Sequence, residues 1–158
     1  MARDILMESE SEQKWKQLGD AALNQQFDLQ LAEECYLKSK DLGGLLLLYT
    51  SLCDQSGMAK LAEMAKEAGR NNFAFLCLFL LGRTGECVDL LCETDRVPEA
   101  AFMTRTYQPS QISRILGLWK QNLKKVSTKA AEALADPEDY EELFPDLNIV
   151  SCICIVRS

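Results

Sequence analysis

The residues best equipped for chemistry in this chain are its seven cysteines and a run of acids near the C-terminus, and their spacing decides what they can do. A cysteine attacks as a nucleophile when a base or cation favours its thiolate, and it holds zinc when it comes in C-x-x-C pairs. The chain has no histidine, which removes Ser-His and Cys-His nucleophile pairs and the usual zinc ligand together. Cys35, Cys53, Cys77, Cys87 and Cys92 offer no paired spacing. Each stands among apolar residues of an expected helix, where a free thiol behaves as a small hydrophobe. Cys152 and Cys154 are too close together for a zinc pair. The acids from Glu138 to Glu142 lack the alternating Asp/Asn/Gly loop of a calcium site and suit a solvated helix start. Neither G-x-x-x-x-G-K nor G-x-G-x-x-G occurs, so no nucleotide cradle is indicated. The sequence thus points to no catalytic residue, no cofactor, no metal site and no small-molecule substrate, and the chain is expected not to be an enzyme. A small thiol enzyme is a competing reading that rests on cysteine number alone.

The charge balance narrows the partners. Seventeen basic residues against twenty-four acidic give a net charge of -7, the wrong sign for releasing counterions from nucleic acid. The charge is also unevenly placed. Arg105, Arg114, Lys120, Lys124, Lys125 and Lys129 come with no acid among them, and Glu132, Asp136, Glu138, Asp139, Glu141, Glu142 and Asp146 follow with no base. The two blocks are expected to neutralise each other or to face water; contact of the basic helix 111–126 with an anionic membrane or an acidic partner is the sharper alternative. Met1 is not followed by a basic and then apolar leader, which places the chain on the cytosolic side with reduced thiols.

These side chains must be carried by something, and the apolar pattern says what. Residues 73–81, FAFLCLFLL, are apolar throughout. As a helix they would span roughly 14 Å, against about 30 Å of membrane hydrocarbon, so protein must cover them. Sliding the sequence by thirty aligns Trp15, Leu45 and Phe75; Leu18, Leu48 and Leu78; Leu31, Leu61 and Leu91; Ala32, Ala62 and Cys92; Glu33, Glu63 and Glu93. Within each copy the apolar spacing is helical: Trp15, Leu18 and Ala22; Leu31, Cys35 and Lys38; Leu61, Ala65 and Ala68. Turn residues fall at Gly43-Gly44, Gly57, 69–72, 82–85 and 94–98. The reading is an all-α chain: an α-solenoid of stacked antiparallel helix pairs, tetratricopeptide-like, with a period of about 30 residues, since one pair alone cannot bury its apolar face.

The expected pairs lie at about 11–40, 41–69, 71–95 and 97–127, followed by C-terminal helices over 128–147; the solenoid is expected to fill 1–147. Residues 1–7 resemble the second half of a pair. Segment 73–81 would be covered all round, by its partner helix 86–93 and by a unit on either side. Gly19 and Ala32 would permit close helix approach. Ser110 and Ser127 are expected helix caps, and Asp136 with Pro137 should start a short closing helix. Residues 148–158 form an atypical, disordered tail, too short to span a membrane, in which Cys152 or Cys154 could carry palmitate.

Four stretches carry a resemblance: "LGGLLLLYTSL", "RNNFAFLCLFLLGR", "RVPEAAFMTRTYQPSQISRILGLW" and "STKAAEALADPEDYEELF". In this order, and over residues 2–147, they resemble the C-terminal part of the helical solenoid of coatomer beta-prime subunits, of the COPI vesicle coat. The related alpha-subunit solenoid is the nearer alternative. The resemblance implies a structural scaffold that assembles with alpha and epsilon subunits. It also implies peripheral attachment to Golgi membranes and vesicles from the cytosolic side, and service in Golgi-to-ER retrograde and intra-Golgi transport. No counterpart of the family's two WD40 propellers, which recognise dilysine tails, is present, so no cargo-binding residue carries over. The ending 149–158 replaces an acidic tail, as in a truncated or differently spliced product. A peptide-binding tetratricopeptide-like adaptor is the other reading, disfavoured because 73–81 offers no Lys, Arg or Asn where such clamps grip a peptide.

Overall fold

The computed structural model describes residues 2–26 and 28–145. Among these the chain is all-helical, and it divides into two compact units, 1–81 and 82–158. The first unit holds α1 (Ala2–Ala21), one π-helical turn (Ala22–Gln26), α2 (Leu29–Lys38), α3 (Leu42–Leu52), α4 (Gln55–Glu67) and α5 (Asn71–Leu80). The second holds α6 (Thr84–Glu93), α7 (Val97–Tyr107), a 3-10 turn (Pro109–Gln111), α8 (Ile112–Lys124), α9 (Thr128–Glu132) and a 3-10 turn (Glu141–Leu143). In each unit the close packing is between helices that follow one another in sequence.

One junction recurs. Lys40, Cys53, Gly69 and Asp95 each adopt a left-handed conformation, φ between 52° and 68°, immediately before the next helix. The residue after each donates its N–H five positions back: Asp41 to Tyr36 O, Asp54 to Tyr49 O, Arg70 to Ala65 O and Arg96 to Leu91 O, at 2.8–3.0 Å. This is the Schellman closure of a helix C-terminus, and the donor is at once the N-cap of the following helix. Only two or three residues therefore separate one helix from the next at these junctions. Asp28, Asp41 and Asp54, spaced by thirteen, add a side-chain cap: their carboxylates accept from the N–H of Leu31, Gly44 and Ser56.

The same step of thirteen organises packing in the first unit. Tyr36 lies against Gly44, where a Cβ would come within 2.8 Å of its ring, and Tyr49 lies against Gly57, where a Cβ would come within 2.6 Å. Each phenol then reaches back to an earlier helix: Tyr36 Oη donates to Asp20 Oδ1 at 2.8 Å, and Tyr49 Oη to Glu33 Oε1 at 2.7 Å. Burial, then the acceptor carboxylate, pushes the Tyr36 pKa up to about 12 and that of Tyr49 up as well. Gly19 receives Tyr36 from the other side, with a Cβ position 3.0 Å from the ring, and Ala32 is fully buried, so close approach holds at both.

Several local expectations change. Residues 2–7 run on into the helix that carries Trp15 instead of forming a separate element. Of the thirty-spaced leucines, Leu48 and Leu78 are core but Leu18 is 45% exposed. Lys38 does not join an apolar face; its ammonium sits 4.1 Å above the Trp15 ring. Ser127 caps α9 through Ala130 N–H as expected, but Ser110 lies inside the 3-10 turn, and α8 begins after Gln111 with no side-chain cap. The closing helix at 136 is a turn: Asp136 O accepts from Asp139 and Tyr140, its carboxylate from Glu138 N–H, and only a 3-10 turn follows. The tail 148–158, with Cys152 and Cys154, lies outside the described residues.

Two predictions follow from the junctions. Gly57→Ala forces a methyl onto the Tyr49 ring and should cost about 1–3 kcal/mol in urea unfolding, whereas Gly117→Ala, whose Cβ meets nothing, should gain about 0.5–1 kcal/mol. The second concerns acid. Burial raises the Asp41 pKa, but the bonds from Lys16 Nζ (2.8 Å) and Gly44 N–H outweigh it; Asp54 is lowered by Gly57 N–H and then by Ser56. A lowered folded pKa stabilises above the ordinary Asp value near 3.9, and that stability is lost as pH falls through the folded values. The urea midpoint should thus drop as pH falls below about 4, and more shallowly in an Asp41→Asn, Asp54→Asn variant.

Candidate interaction surface

The thiols come first. Cys35, Cys77 and Cys87 are fully buried, in keeping with a packing role, and Cys92 is half-buried. Burial pushes the thiols of Cys35, Cys77 and Cys92 up, away from the reactive thiolate. Cys53 departs from expectation: it is not a packed helical residue but the exposed left-handed residue between α3 and α4. Among the described residues no three acids or cysteines converge as a metal cage would require. With a maleimide at neutral pH, Cys53 should label first among the cysteines of the described residues, and Cys35, Cys77 and Cys87 at least about tenfold more slowly, as read by mass spectrometry of peptides.

What the chain does present is apolar surface. Helix α5 was expected to be covered all round, and it is not. Ala74, Cys77 and Leu78 form one buried stripe, while Leu76, Phe79 and Leu80 are open to solvent. The cause is geometric: a helix apolar on every side needs neighbours on every side, and in its unit α5 packs principally against α4. Phe75 and Phe79, one turn apart, stack with ring centres 6.1 Å apart. A groove of about 220 Å³ runs beside this face, lined by Tyr49, Thr50, Cys53, Met58, Leu80 and Leu81 among others.

The second unit has its own apolar slot, of about 130 Å³, between α7, α8 and the turn after α9. Phe102 and Trp119 meet edge-on across it, 6.0 Å apart, with Ile112, Leu116 and Pro137 beneath and Arg105 on the wall. Gln108 holds the end of α7 to α6 through Thr84 Oγ1 at 2.9 Å, and Arg114 bonds Asp89 at 3.1 Å. Three of the exposed apolar residues share a register. Leu47, Leu76 and Phe102 each stand six positions after the N-cap of their helix, and each is at least 40% exposed. Contiguous apolar surface on a soluble fold marks sites of protein contact. The pattern was readable as a spacing from Asp41, Arg70 and Arg96, but only once those residues were known to open helices.

Comparison with known proteins agrees with this picture of helices that pack and present surface. A family model described as the COPA/B TPR domain matches residues 1–120. The chain belongs to the COPA/B TPR domain family. That membership places its helices in a tetratricopeptide-like solenoid, as expected from the thirty-residue repeat. Within this family the chain is 54% identical over 149 residues to coatomer subunit beta'-2 of Arabidopsis thaliana, which covers 94% of this chain and 16% of that protein. It is 53% identical over 148 residues to coatomer subunit beta' of Mus musculus, covering 93% and 16%. The chain thus spans about one sixth of the length of these relatives. No described helix is long and apolar enough to cross a membrane.

Proposed function

We propose that this chain is a scaffold segment of the COPI coat, of beta-prime type, which works by protein–protein assembly and not by catalysis. The observation that carries the proposal is the match to coatomer beta' subunits along 94% of the chain. It is supported by exposed apolar side chains at a repeated helix position. In this reading the chain contacts other coatomer subunits, alpha and epsilon among them, and lies peripherally on Golgi and vesicle membranes from the cytosolic side. Its process is Golgi-to-ER retrograde and intra-Golgi transport. Leu47, Leu76, Leu80 and Phe102 supply the apolar anchors, since a few well-buried side chains dominate most interfaces. A peptide clamp is disfavoured because these positions hold aliphatic and aromatic groups rather than peptide-gripping polar ones.

The test is affinity purification of the tagged chain from cells, followed by mass spectrometry. Recovery of the alpha coatomer subunit is expected, and recovery reduced about tenfold by Leu47→Asp, an exposed position where folding should be unaffected. A folded chain that recovers no coatomer subunit would overturn the assignment.

A further inference from the structure

The second unit pairs Arg83, Arg96 and Arg114 with carboxylates but leaves a group of lysines near its end without them, among the described residues. Ser113, at the start of α8, donates to Asp136 Oδ1 at 2.7 Å, which ties the acidic turn carrying Glu138 and Asp139 to the N-terminal end of that helix. Lys124 lies at its other end, eleven residues on, or about 16 Å along the axis. That exceeds the Debye length of about 8 Å at physiological salt, so the acidic turn at Asp136 screens Lys124 poorly. Of the two outcomes expected for the blocks, neutralisation or exposure to water, these lysines show the second: among the described residues no lysine of the basic block pairs with an acid of the next, and Arg114 pairs with Asp89 instead.

The corner where α8 turns into α9 collects what is left. Lys124, Lys125 and Lys129 are exposed and Lys120 is half-exposed; among the described residues the one polar bond at their ammoniums is Lys125 Nζ to Asn122 Oδ1, at 3.3 Å. Val126 sits at the apex of this corner, 87% exposed. Glu132, three residues after Lys129, is the nearest acid in sequence and is not within ion-pair distance. Elsewhere Lys16, Lys40, Lys66, Arg83 and Arg96 do find carboxylates, in a chain with acids to spare. Lysines at a helix C-terminus complement its dipole, which accounts for Lys124 and Lys125 but not for Lys129 at the start of α9 or for the bare Val126.

We propose that the corner of Lys120, Lys124, Lys125, Val126 and Lys129 docks on an anionic phospholipid surface. A lipid surface fits better than an acidic peptide because the corner offers compact ammoniums rather than the flat forks of arginine, and carries an apolar residue, Val126, that is 87% exposed at the turn and can enter the headgroup layer. Each lysine near such a surface contributes modestly, so one chain binds weakly and reversibly, and several chains held in register bind firmly. The proposal is independent of the coat assignment, because it can be tested on the isolated chain.

The experiment is flotation of the full 158-residue chain with phosphatidylcholine vesicles, with and without phosphatidylserine. Flotation scores only lipid-bound protein, so aggregates do not register. Binding to the serine-containing vesicles alone is expected, declining steeply with added salt. The Lys124→Glu, Lys129→Glu variant should lose at least about thirtyfold in partitioning, while Lys60→Glu, Arg70→Glu, with the same change in net charge, should stay within about threefold of the parent. Circular dichroism of each variant checks folding, and Lys124→Gln, Lys129→Gln gives the same comparison without charge reversal. Equal flotation with both vesicle types, or equal losses in corner and control variants, overturns the proposal. So does binding of a fluorescent oligoglutamate peptide by a chain that floats with neither vesicle, which would assign the corner to an acidic protein tail.

Discussion

The fold depends on a junction in which one backbone N–H closes the helix behind it while its own residue opens the helix ahead. Asp41 and Asp54 do this with a carboxylate that also accepts from the new helix, so three constraints meet on one residue: a left-handed predecessor, a bond five positions back and a side-chain cap. A connection this short leaves no freedom in the direction of the next helix. It sets which residues face inward, and it brings Tyr36 over Gly44 and Tyr49 over Gly57. The non-glycine residues held left-handed at Lys40, Cys53 and Asp95 carry a conformational cost of roughly 1 kcal/mol each, which the junction must offset.

Much of this was legible in the sequence, and what was missed has definite causes. The helical spacing of Leu61 and Ala65, the small residues at Gly19 and Ala32, and the cap at Ser127 were plain, because they follow from rules acting within one or two turns. The thirty-residue comparison found the helical, tetratricopeptide-like fold, and the quoted motifs found the family. It passed over the shorter step of thirteen in Asp28, Asp41 and Asp54, in Tyr36 and Tyr49, and in Gly44 and Gly57. That step belongs to single helices, and the glycines read as turn residues although they lie in the first turn of a helix. Cys53 was misplaced for a similar reason: nothing in its neighbours marks a left-handed residue that is not glycine.

The candidate surface was the least legible part. Sequence pattern says that a residue is apolar but not whether a neighbour reaches it, so residues 73–81 read as enclosed when Leu76 and Leu80 are open. The basic and acidic blocks were visible as blocks, yet their separation rests on the bond from Ser113 to Asp136, between residues twenty-three apart in sequence. The two proposed contact surfaces rest on these tertiary facts: apolar groups left open on their helices, and lysines left without carboxylate partners among the described residues.

The junction that measures out thirteen residues also governs how such a chain can change length. One residue added inside a helix rotates everything after it by about 100°, swinging the next tyrosine off its glycine and the next aspartate off its amide. Between Asp28 and Asp54, loss or gain of a complete thirteen-residue helix keeps aspartate on amide and tyrosine on glycine, although the next step, to Arg70, is sixteen. Length in this part of the chain is therefore counted in whole helices, much as a ladder can lose a rung's worth of rail but cannot be sheared by half a rung.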